Sequence, residues 1–491
     1  MKNIFRRLAR RRHILILQLI ASVVVVAMVY RLGLIPMKYI AILALLLAVL
    51  LMIFYFVLEP FKKRKHGKKH MRYFFGRLCS FLLSVMMFVA SAYIYRSGSA
   101  IKKMTGQDDE VTTYSVIVLD SSEAQELSDI SNKTLGVGPN VDSDNQSYVL
   151  EQIGSEITFD QKDYLNFQAE SEGLTDGSVD AILINESYRD VFEEDDEDFS
   201  DTTRVIWTYE ITSEIDTSVE TDSDANPAGT FIAYISGVDS RGSVKATSRS
   251  DVNMIVTVNT NTHKILLTSI PRDYYVTLAN AGKKDKLTHS GLFGTENTVK
   301  TVEGFMDIDI DYYVRVNFTA LVNLVDALGG IDVYSDKAIA HMQGGYDLSV
   351  KKGVNHMDGK LALAFARERY AYASGDRHRT QNQQDVLQAI FKKLIKPSVL
   401  SNFNDVLSAI EDCFITNMDD DTIKSLVSTQ LNTNASWSFT NSYLDGSGKM
   451  MTGGYMMPST KLYYMIPDES TITEAQAEIA AILDGKDLSS D

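Results

Sequence analysis

The amino-acid sequence predicts an α/β protein carried on three N-terminal transmembrane helices, with a small α/β unit followed by one larger α/β domain. Three observations predict it. Apolar stretches of helical length crowd the first hundred residues, and short β-branched runs alternate with helical stretches through the rest. The composition, 45% hydrophobic and 23% charged, is ordinary globular usage and not that of a disordered chain. At 491 residues the chain has room for about three structural units.

The apolar stretches are Ile14–Tyr30, Tyr39–Leu58 and Leu78–Tyr95, each long enough, or nearly so, to cross roughly 30 Å of hydrocarbon as a helix. A cleaved signal peptide does not fit the first, because no small-residue cleavage site follows it and two further spans do. Lys2, Arg6, Arg7, Arg10, Arg11 and Arg12 precede the first span, and the second loop carries Lys62, Lys63, Arg64, Lys65, Lys68, Lys69 and Arg72. The short first loop has only Arg31 and Lys38. Basic loops stay on the cytoplasmic side, so the N-terminus is expected inside and residues 97–491 outside the cell membrane.

Charge divides the same way. Residues 1–96 hold 17 Lys and Arg against one acid, Glu59, leaving 31 basic and 63 acidic residues in 97–491. An acidic bulk repels phosphate backbones, which excludes nucleic acid as a partner. Outside the membrane there is no cytosolic ATP, so group transfer there needs a substrate that is already activated. Two cysteines, Cys79 and Cys413, exclude a disulfide scaffold and a cysteine-based zinc site.

Within the outer part, 97–211 reads as the small accessory α/β unit. Strands are expected at Tyr114–Leu119, Thr134–Val137, Val179–Ile184 and Arg204–Tyr209, with helical stretches such as Ser147–Ile153 between them. Acids crowd Glu193–Asp198, and the expected role is structural or interactive. Residues 212–229 are acidic, without apolar periodicity, and read as a linker. Residues 230–465 form the larger domain, and 466–491 a polar tail after the short amphipathic run Glu474–Leu483.

Chemistry converges in the larger domain. Phe231–Ser236 reads as a buried strand ended by Gly237, with Asp239 and Arg241 just beyond it. Asn253–Val258 is a second strand, preceded by Arg249 and Asp251, and a polar turn leads into Lys264–Ile270 and then Arg272. A short connection implies an antiparallel hairpin. With Val258 opposite Lys264, Ser250 falls opposite Arg272 and Asp251 opposite Pro271, so Asp239, Arg249, Asp251 and Arg272 meet at one sheet edge. Downstream, Arg367 and Arg369 are two residues apart, which puts them on one face of a strand but well apart on a helix. A helix then runs from Gly375–Arg379 to Leu394. At about 100° per residue, Arg379, Gln383, Val386, Leu387, Ile390 and Leu394 share one inward stripe, with Arg379 near the N-terminus, where backbone N–H groups favour an anion.

Any one of these arginines read alone is a solvated surface charge. Five of them at strand ends and on an inward helical face point instead to phosphate, which guanidinium groups bind bidentately. Asp239 and Asp251 repel each other unless a cation lies between them, and Mg²⁺ favours carboxylate plus phosphate oxygens. A pyrophosphate with bound Mg²⁺ meets both requirements. The histidines, His289, His341, His356 and His378 among them, form no close ligand pair, and His378 is read as a solvated neighbour of the arginines. Phe318–Leu328, ended by Gly329 and Gly330, reads as an apolar core helix that can also line a lipid channel. No Walker-type loop or G-x-S-x-G elbow is present.

These segments resemble the LytR-CpsA-Psr family of cell-wall ligases, and its capsule subgroup in particular. The resemblance rests on G-V-D-S-R at 237–241, S-R-S-D at 248–251, S-I-P-R-D-Y-Y-V at 269–276 and K-L-T-H-S-G at 286–291. It continues in D-Y-Y-V-R-V-N-F at 311–318, V-D-A-L-G-G-I-D-V at 325–333, A-R-E-R-Y at 366–370 and G-D-R-H-R-T-Q-N-Q-Q at 375–384. It implies an α/β/α catalytic domain with a central mixed sheet and a prenyl chain held between sheet and helices. It also implies transfer of a capsular polysaccharide phosphate from a polyprenyl-pyrophosphate carrier to a peptidoglycan hydroxyl, with capsule-assembly membrane proteins as possible partners. By the same resemblance Asp239 and Asp251 hold Mg²⁺, while Arg249, Arg272, Arg367, Arg369, Arg379 and Gln383 grip the pyrophosphate. Asp251, Arg272 and Arg379 are the expected catalytic set. Many members have Arg-Gln where this chain has Asn382-Gln383, a departure from the family pattern at position 382.

The chemistry is positioning plus charge neutralisation at the bridging oxygen. The acceptor hydroxyl needs a base, and Asp251 and Asp376 both qualify. Two other readings use the same residues: a membrane sensor that binds the lipid-linked precursor without turnover, and a pyrophosphatase with water as acceptor.

Overall fold

The computed structural model describes residues 11–33, 35–58, 68–105, 109–139, 143–196, 198–214, 229–238, 244–342, 348–372, 375–396, 399, 406 and 414–488. They fall into two compact units.

The first unit contains three helices long and apolar enough to cross a membrane: α1 (Arg11–Leu32), α2 (Met37–Val57) and α3 (Lys68–Thr105), the last through its Phe75–Tyr95 stretch. Ala21, Val25, Leu47 and Met87 pack where the three meet. The buried Gln18 amide oxygen accepts from the Ser80 hydroxyl at 2.7 Å, a polar pairing that helices in an apolar surrounding use to fix their register. The helix Asp420–Thr433 belongs to this unit too, and the Asn432 carbonyl accepts from Lys38 Nζ at 3.3 Å.

Among the described residues the second unit holds two larger sheets and three two-stranded ribbons. Strands β1 (Asp109–Leu119), β2 (Thr134–Val137), β3 (Asp160–Asp163), β4 (Ala181–Asn185) and β5 (Thr203–Glu214) form a sheet ordered β3-β2-β4-β1-β5. Helix α4 (Ser143–Glu156) covers one face through Val149 and Ile153, against Val116, Leu135 and Leu183. Helices α5 (Phe167–Thr175) and α6 (Arg189–Asp195) cover the other through Phe167, Leu174, Val191 and Phe192, against Ile117, Ile182 and Ile184. Period-2 alternation along β1 and β4 therefore feeds two cores. The second of these continues into Leu292, Met456, Met457 and Tyr464, so the accessory sheet and the larger domain share one hydrophobic cluster. Strand β5 reaches Glu214, into the segment expected as a linker, and residues 215–228 lie outside the described residues.

The larger sheet is built from β6 (Thr230–Val238), β7 (Val252–Asn259), β8 (Lys264–Ile270), β11 (Tyr312–Asn317), β14 (Phe414–Thr416) and β15 (Ser438–Tyr443), in the order β14-β11-β6-β7-β8-β15. The pairs β11/β6 and β8/β15 are parallel and the rest antiparallel. Two-stranded ribbons β9/β10 (Tyr275–Thr277, Lys284–Lys286), β12/β13 (Ile331–Ser335, Gly353–Met357) and β16/β17 (Gly446–Met451, Leu462–Pro467) decorate it. One face packs on α7 (Thr295–Met306) and α11 (Glu469–Leu483): Ile232, Tyr234, Ile255 and Leu266 meet Val299, Val302, Ile472 and Ile479. Helices α8 (Phe318–Ala327), α9 (Gly359–Arg367) and α10 (Asp376–Leu394) flank the cavity on the opposite face, giving an α/β/α sandwich. The C-terminal segment expected as a tail thus contributes a core helix, because Ile472, Ala475, Ile479 and Ile482 recur at helical spacing and are buried.

One expectation about register is corrected. Asn259, not Val258, lies opposite Lys264. The Asn259 side-chain oxygen accepts from the backbone N–H groups of Asn261 and Thr262, and His263 takes a left-handed φ of 56°, so the turn closes one residue later on β7. Continued past Asn253–Ile270, this register sets Asp251 opposite Arg272 instead of Pro271.

Candidate functional site

A cavity of about 540 Å³ opens between the larger sheet and helices α8, α9 and α10. Its polar mouth follows from strand ends. Gly237 closes β6, Asp251 precedes β7, Arg272 follows β8 and Asn317 ends β11, and all four line the cavity. Gly237 is required there, since a Cβ at this position would lie 2.7 Å from Cβ of Val252. One layer deeper, the cross-strand pair Ile235–Met254 presents apolar side chains. Helix α10 repeats the gradient: Arg379 and Gln383 lie at the mouth, then Val386, Leu387 and Ile390, over about 16 Å at 1.5 Å per residue. Leu321 of α8 and Leu363 of α9 complete the apolar wall.

Arg272 Nη1 donates to Asp251 Oδ1 at 2.7 Å, and the Thr288 hydroxyl reaches the same oxygen at 3.3 Å. Arg367 is the last residue of α9 and Arg369 lies just past its end, so they converge by leaving the helix and not by sharing a strand face. The Arg367 guanidinium lies 4.5 Å from the Phe318 ring centroid, and Arg369 Nη2 donates to the Tyr370 hydroxyl at 2.6 Å. The structure therefore gathers Asp251, Arg272, Arg367, Arg369, Arg379 and Gln383 around one space. Four arginines against one carboxylate, among the described lining residues, make a site for a multiply charged anion above an apolar tail.

Asp239 lies outside the described residues, as does the Asp376 side chain. Arg249 does not line the cavity: its Nε donates to Asp190 at 2.9 Å and its Nη1 to Glu194 at 2.7 Å, both on α6 of the accessory sheet. Asn382 is buried and donates to the Phe365 carbonyl at 3.0 Å, joining α10 to α9, so it supplies no group to the cavity. His378 stacks on Tyr372 with centroids 3.4 Å apart, and burial lowers its pKa. The apolar helix read as core is also cavity wall, through Phe318 and Leu321.

A magnesium-type cation takes one or two carboxylates with phosphate oxygens completing its shell. Asp251 at the arginine-lined mouth fits that donor set. Among the described residues no group of three or more His, Cys, Asp or Glu side chains could hold a metal ion unaided.

Sequence reasoning missed a charge cluster beside the mouth. Glu194 accepts from Lys286 at 3.0 Å as well as from Arg249, and fully buried His289 lies with Nδ1 3.1 Å from Asp285 and Nε2 3.9 Å from Glu194. Burial alone would lower the His289 pKa, but the Asp285 and Glu194 carboxylates lift it to about 9. Burial pushes Glu194 up, and His289, Lys286 and Arg249 together hold it well below the usual carboxylate range. The available signal was Asp190 and Glu194 at i and i+4, one face of a helix in an otherwise unexplained acidic run.

A family model, LytR_cpsA_psr, matches residues 201–476. The sequence is 33% identical over 253 residues to the polyisoprenyl-teichoic acid–peptidoglycan teichoic acid transferase TagU of Bacillus licheniformis, covering 51% of this chain and 76% of that protein. It is 34% identical over 273 residues to TagU of Bacillus subtilis, covering 55% and 84%, and 30% identical over 281 residues to TagU of Enterococcus faecalis, covering 57% and 87%. The crystal structure of B. subtilis TagU superposes over 53% of this chain and all of its own, at 32% identity and a TM-score of 0.41. The family match takes in more than half of the sequence, including every strand and helix that lines the cavity: the chain belongs to the LytR_cpsA_psr family.

Proposed function

We propose that this protein is a membrane-anchored glycopolymer–peptidoglycan ligase. It moves a glycopolymer, with the phosphate that links it, from a prenyl-pyrophosphate carrier to a peptidoglycan hydroxyl. The observation that carries this reading is one cavity whose mouth presents Arg272, Arg367, Arg369 and Arg379 and whose depth is Ile235, Met254, Leu321, Leu363, Val386, Leu387 and Ile390. That is the complement of a pyrophosphate joined to a hydrocarbon tail. The transferase names of the relatives support the reaction class. The basic N-terminal segments favour a cytoplasmic N-terminus, with residues 97–491 outside.

In this mechanism the apolar wall holds the prenyl chain and the arginines hold the pyrophosphate. The acceptor oxygen attacks the phosphorus that bears the glycan. The bond from that phosphorus to the bridging oxygen breaks, its electron pair leaves with prenyl phosphate, and the acceptor proton passes to Asp251. Arg272, already engaged with Asp251, and Arg379 offset the charge that builds on the bridging oxygen, and such preorganised charge lowers the barrier without reorganisation. Mg²⁺ held by Asp251, with Asp239 as the second ligand, would supply further charge neutralisation. A capsular polysaccharide is the glycopolymer we favour, on the resemblance of the sequence motifs to the capsule subgroup.

The test is transfer by the full-length protein in detergent, with a prenyl-pyrophosphate oligosaccharide as donor and peptidoglycan fragments as acceptor, with and without Mg²⁺. Glycan joined to peptidoglycan, dependent on Mg²⁺ and lost in Arg272→Ala, is the expected result. Donor binding without turnover would support the sensor reading, and free glycan phosphate the pyrophosphatase reading.

A further inference from the structure

The accessory sheet does more than stand beside the cavity. The segment 245–251, which ends in the cavity-lining Asp251, is held to β1 by backbone bonds: Val111 N–H donates to the Lys245 carbonyl at 2.8 Å, and Thr247 N–H donates back to Val111 at 3.2 Å. The Ser187 hydroxyl, just before α6, donates to the Thr247 carbonyl at 2.9 Å. Arg249 then gives Nε to Asp190 and Nη1 to Glu194, and its side chain is mostly covered. The far end of the segment is fixed within the larger domain, by Ser250 N–H on the Thr288 carbonyl at 3.1 Å and Asp251 N–H on the Gly237 carbonyl at 2.8 Å.

Two carboxylates already neutralise the Arg249 guanidinium, whereas Arg272, Arg367, Arg369 and Arg379 line the cavity and Arg249 does not. Arg249 and Asp251 are two residues apart on a segment whose backbone is fixed at both ends, so holding the Arg249 side chain also holds the backbone that carries Asp251. Asp251 is the residue that carries Arg272. A chain of contacts thus runs from α6 through Arg249 to Asp251 and Arg272. Burial raises the Asp190 pKa, Arg249 opposes that, and Glu193 and Asp251 raise it further, which sets Asp190 within electrostatic reach of the cavity mouth.

We propose that Arg249 is a positioning residue, clamped by Asp190 and Glu194 of the accessory sheet, which sets Asp251 and Arg272 for transfer without itself contacting the pyrophosphate. The accessory sheet is then a working part of the transfer site. This inference rests on the ligase reading above.

The experiment is a double-mutant cycle on the full-length protein in detergent, with Asp190→Asn, Arg249→Ala, the double variant, and Asp190→Glu as the conservative variant. Asp190 is chosen because its side chain is half-exposed, so its loss leaves Glu194, Lys286 and His289 together. Geranylgeranyl pyrophosphate reports binding by calorimetry, and transfer from the prenyl-pyrophosphate oligosaccharide reports turnover. The clamp requires that Asp190→Asn and Arg249→Ala each lower kcat by on the order of tenfold, with unchanged melting temperature and unchanged Kd for geranylgeranyl pyrophosphate. It also requires that the double variant be no worse than either single one, and that Asp190→Glu restore turnover.

Three outcomes overturn the clamp. Weaker geranylgeranyl pyrophosphate binding in Arg249→Ala but not in Asp190→Asn would make Arg249 a direct ligand. Tighter binding in Asp190→Asn would make the accessory sheet a competitor for Arg249. Unchanged kcat in both single variants would leave the pair without a role in transfer. Arg272→Ala, run alongside, separates the two levels. If it keeps wild-type binding and turnover, the ligase site itself is wrong; if it loses turnover while the cycle fails, only the clamp falls.

Discussion

Asp251 and Arg272 face each other across the mouth of the cavity, 2.7 Å between carboxylate and guanidinium, Asp251 one residue before β7 and Arg272 two residues after β8. The paired strand ends, with Asp251 N–H on the Gly237 carbonyl and Thr288 N–H on the Arg272 carbonyl, bring an acid and a base to one point. The pair is part-buried, so each member holds the other's side chain in one rotamer at the entrance.

Asp251→Asn tests that relationship. The amide keeps the shape and one hydrogen bond to Arg272 but loses the charge and the proton acceptor. Turnover is expected to fall by about 10²–10⁴-fold, the range of a lost general base, with the melting temperature within a few degrees of wild type. Steady-state kinetics and thermal melts on the same preparation decide it, and turnover within threefold of wild type would remove Asp251 from the reaction.

The apolar depth of the cavity predicts a dependence on chain length. Ile390, on the last cavity-facing turn of α10, is a point where bulk can be added beyond the mouth. Ile390→Trp is expected to weaken binding of a twenty-carbon prenyl pyrophosphate about tenfold or more while leaving inorganic pyrophosphate unaffected, because overpacking removes tail volume and leaves the arginines in place. Calorimetry with the two ligands reads the difference directly, and an equal loss for both would mean that the tail does not enter this cavity.

Fully buried His289 predicts a pH dependence of stability. Its folded pKa, about 9, lies above the ordinary 6.5, so protonation favours the folded state. The contribution is fully present below pH 6.5 and is lost as pH rises toward 9. At 1.36 kcal/mol per pKa unit it amounts to about 3 kcal/mol. Denaturant melts should show wild type losing stability between pH 6.5 and 9 and His289→Gln, less stable at pH 6, losing far less. Parallel curves for the two proteins would place the titration elsewhere.

Glu110 and Arg315 make the second prediction about stability. Both side chains are buried, Nη1 to Oε1 is 2.6 Å, and Thr295 also donates to Glu110 through its hydroxyl at 2.6 Å. Glu110→Ala leaves the Arg315 guanidinium buried without its carboxylate, which costs about 3–5 kcal/mol. Replacing the pair with apolar residues of similar volume should cost less than the single change, because no charge remains to be desolvated. Denaturant midpoints of the two variants compare the outcomes, and a smaller loss for Glu110→Ala alone would contradict the account.

Much of this protein was legible in its residues. The three apolar helices follow from hydropathy, and the sheet strands from their period-2 and buried runs, because both patterns record which side of each element leaves water. The inward stripe of α10 follows from helical spacing, and four of five stripe residues beyond Arg379 line the cavity: Gln383, Val386, Leu387 and Ile390, with Leu394 past its end. The motifs that resemble the LytR-CpsA-Psr family stand in the same segments.

Other features belonged to the tertiary structure. The hairpin register turned on the Asn259 side chain bonding its own turn, a one-residue choice that hydrophobic pattern does not encode when β7 is buried on both faces. Arg367 and Arg369 meet at the cavity because α9 ends between them, and helix ends are set by packing and capping as much as by propensity. The fate of Arg249 turned on Asp190 and Glu194, which stand 59 and 55 residues away in sequence and reach it only when the accessory sheet packs on the larger domain. Local periodicity determines which residues face inward; which charges they meet there depends on contacts between distant segments, and these exist only once the chain has folded.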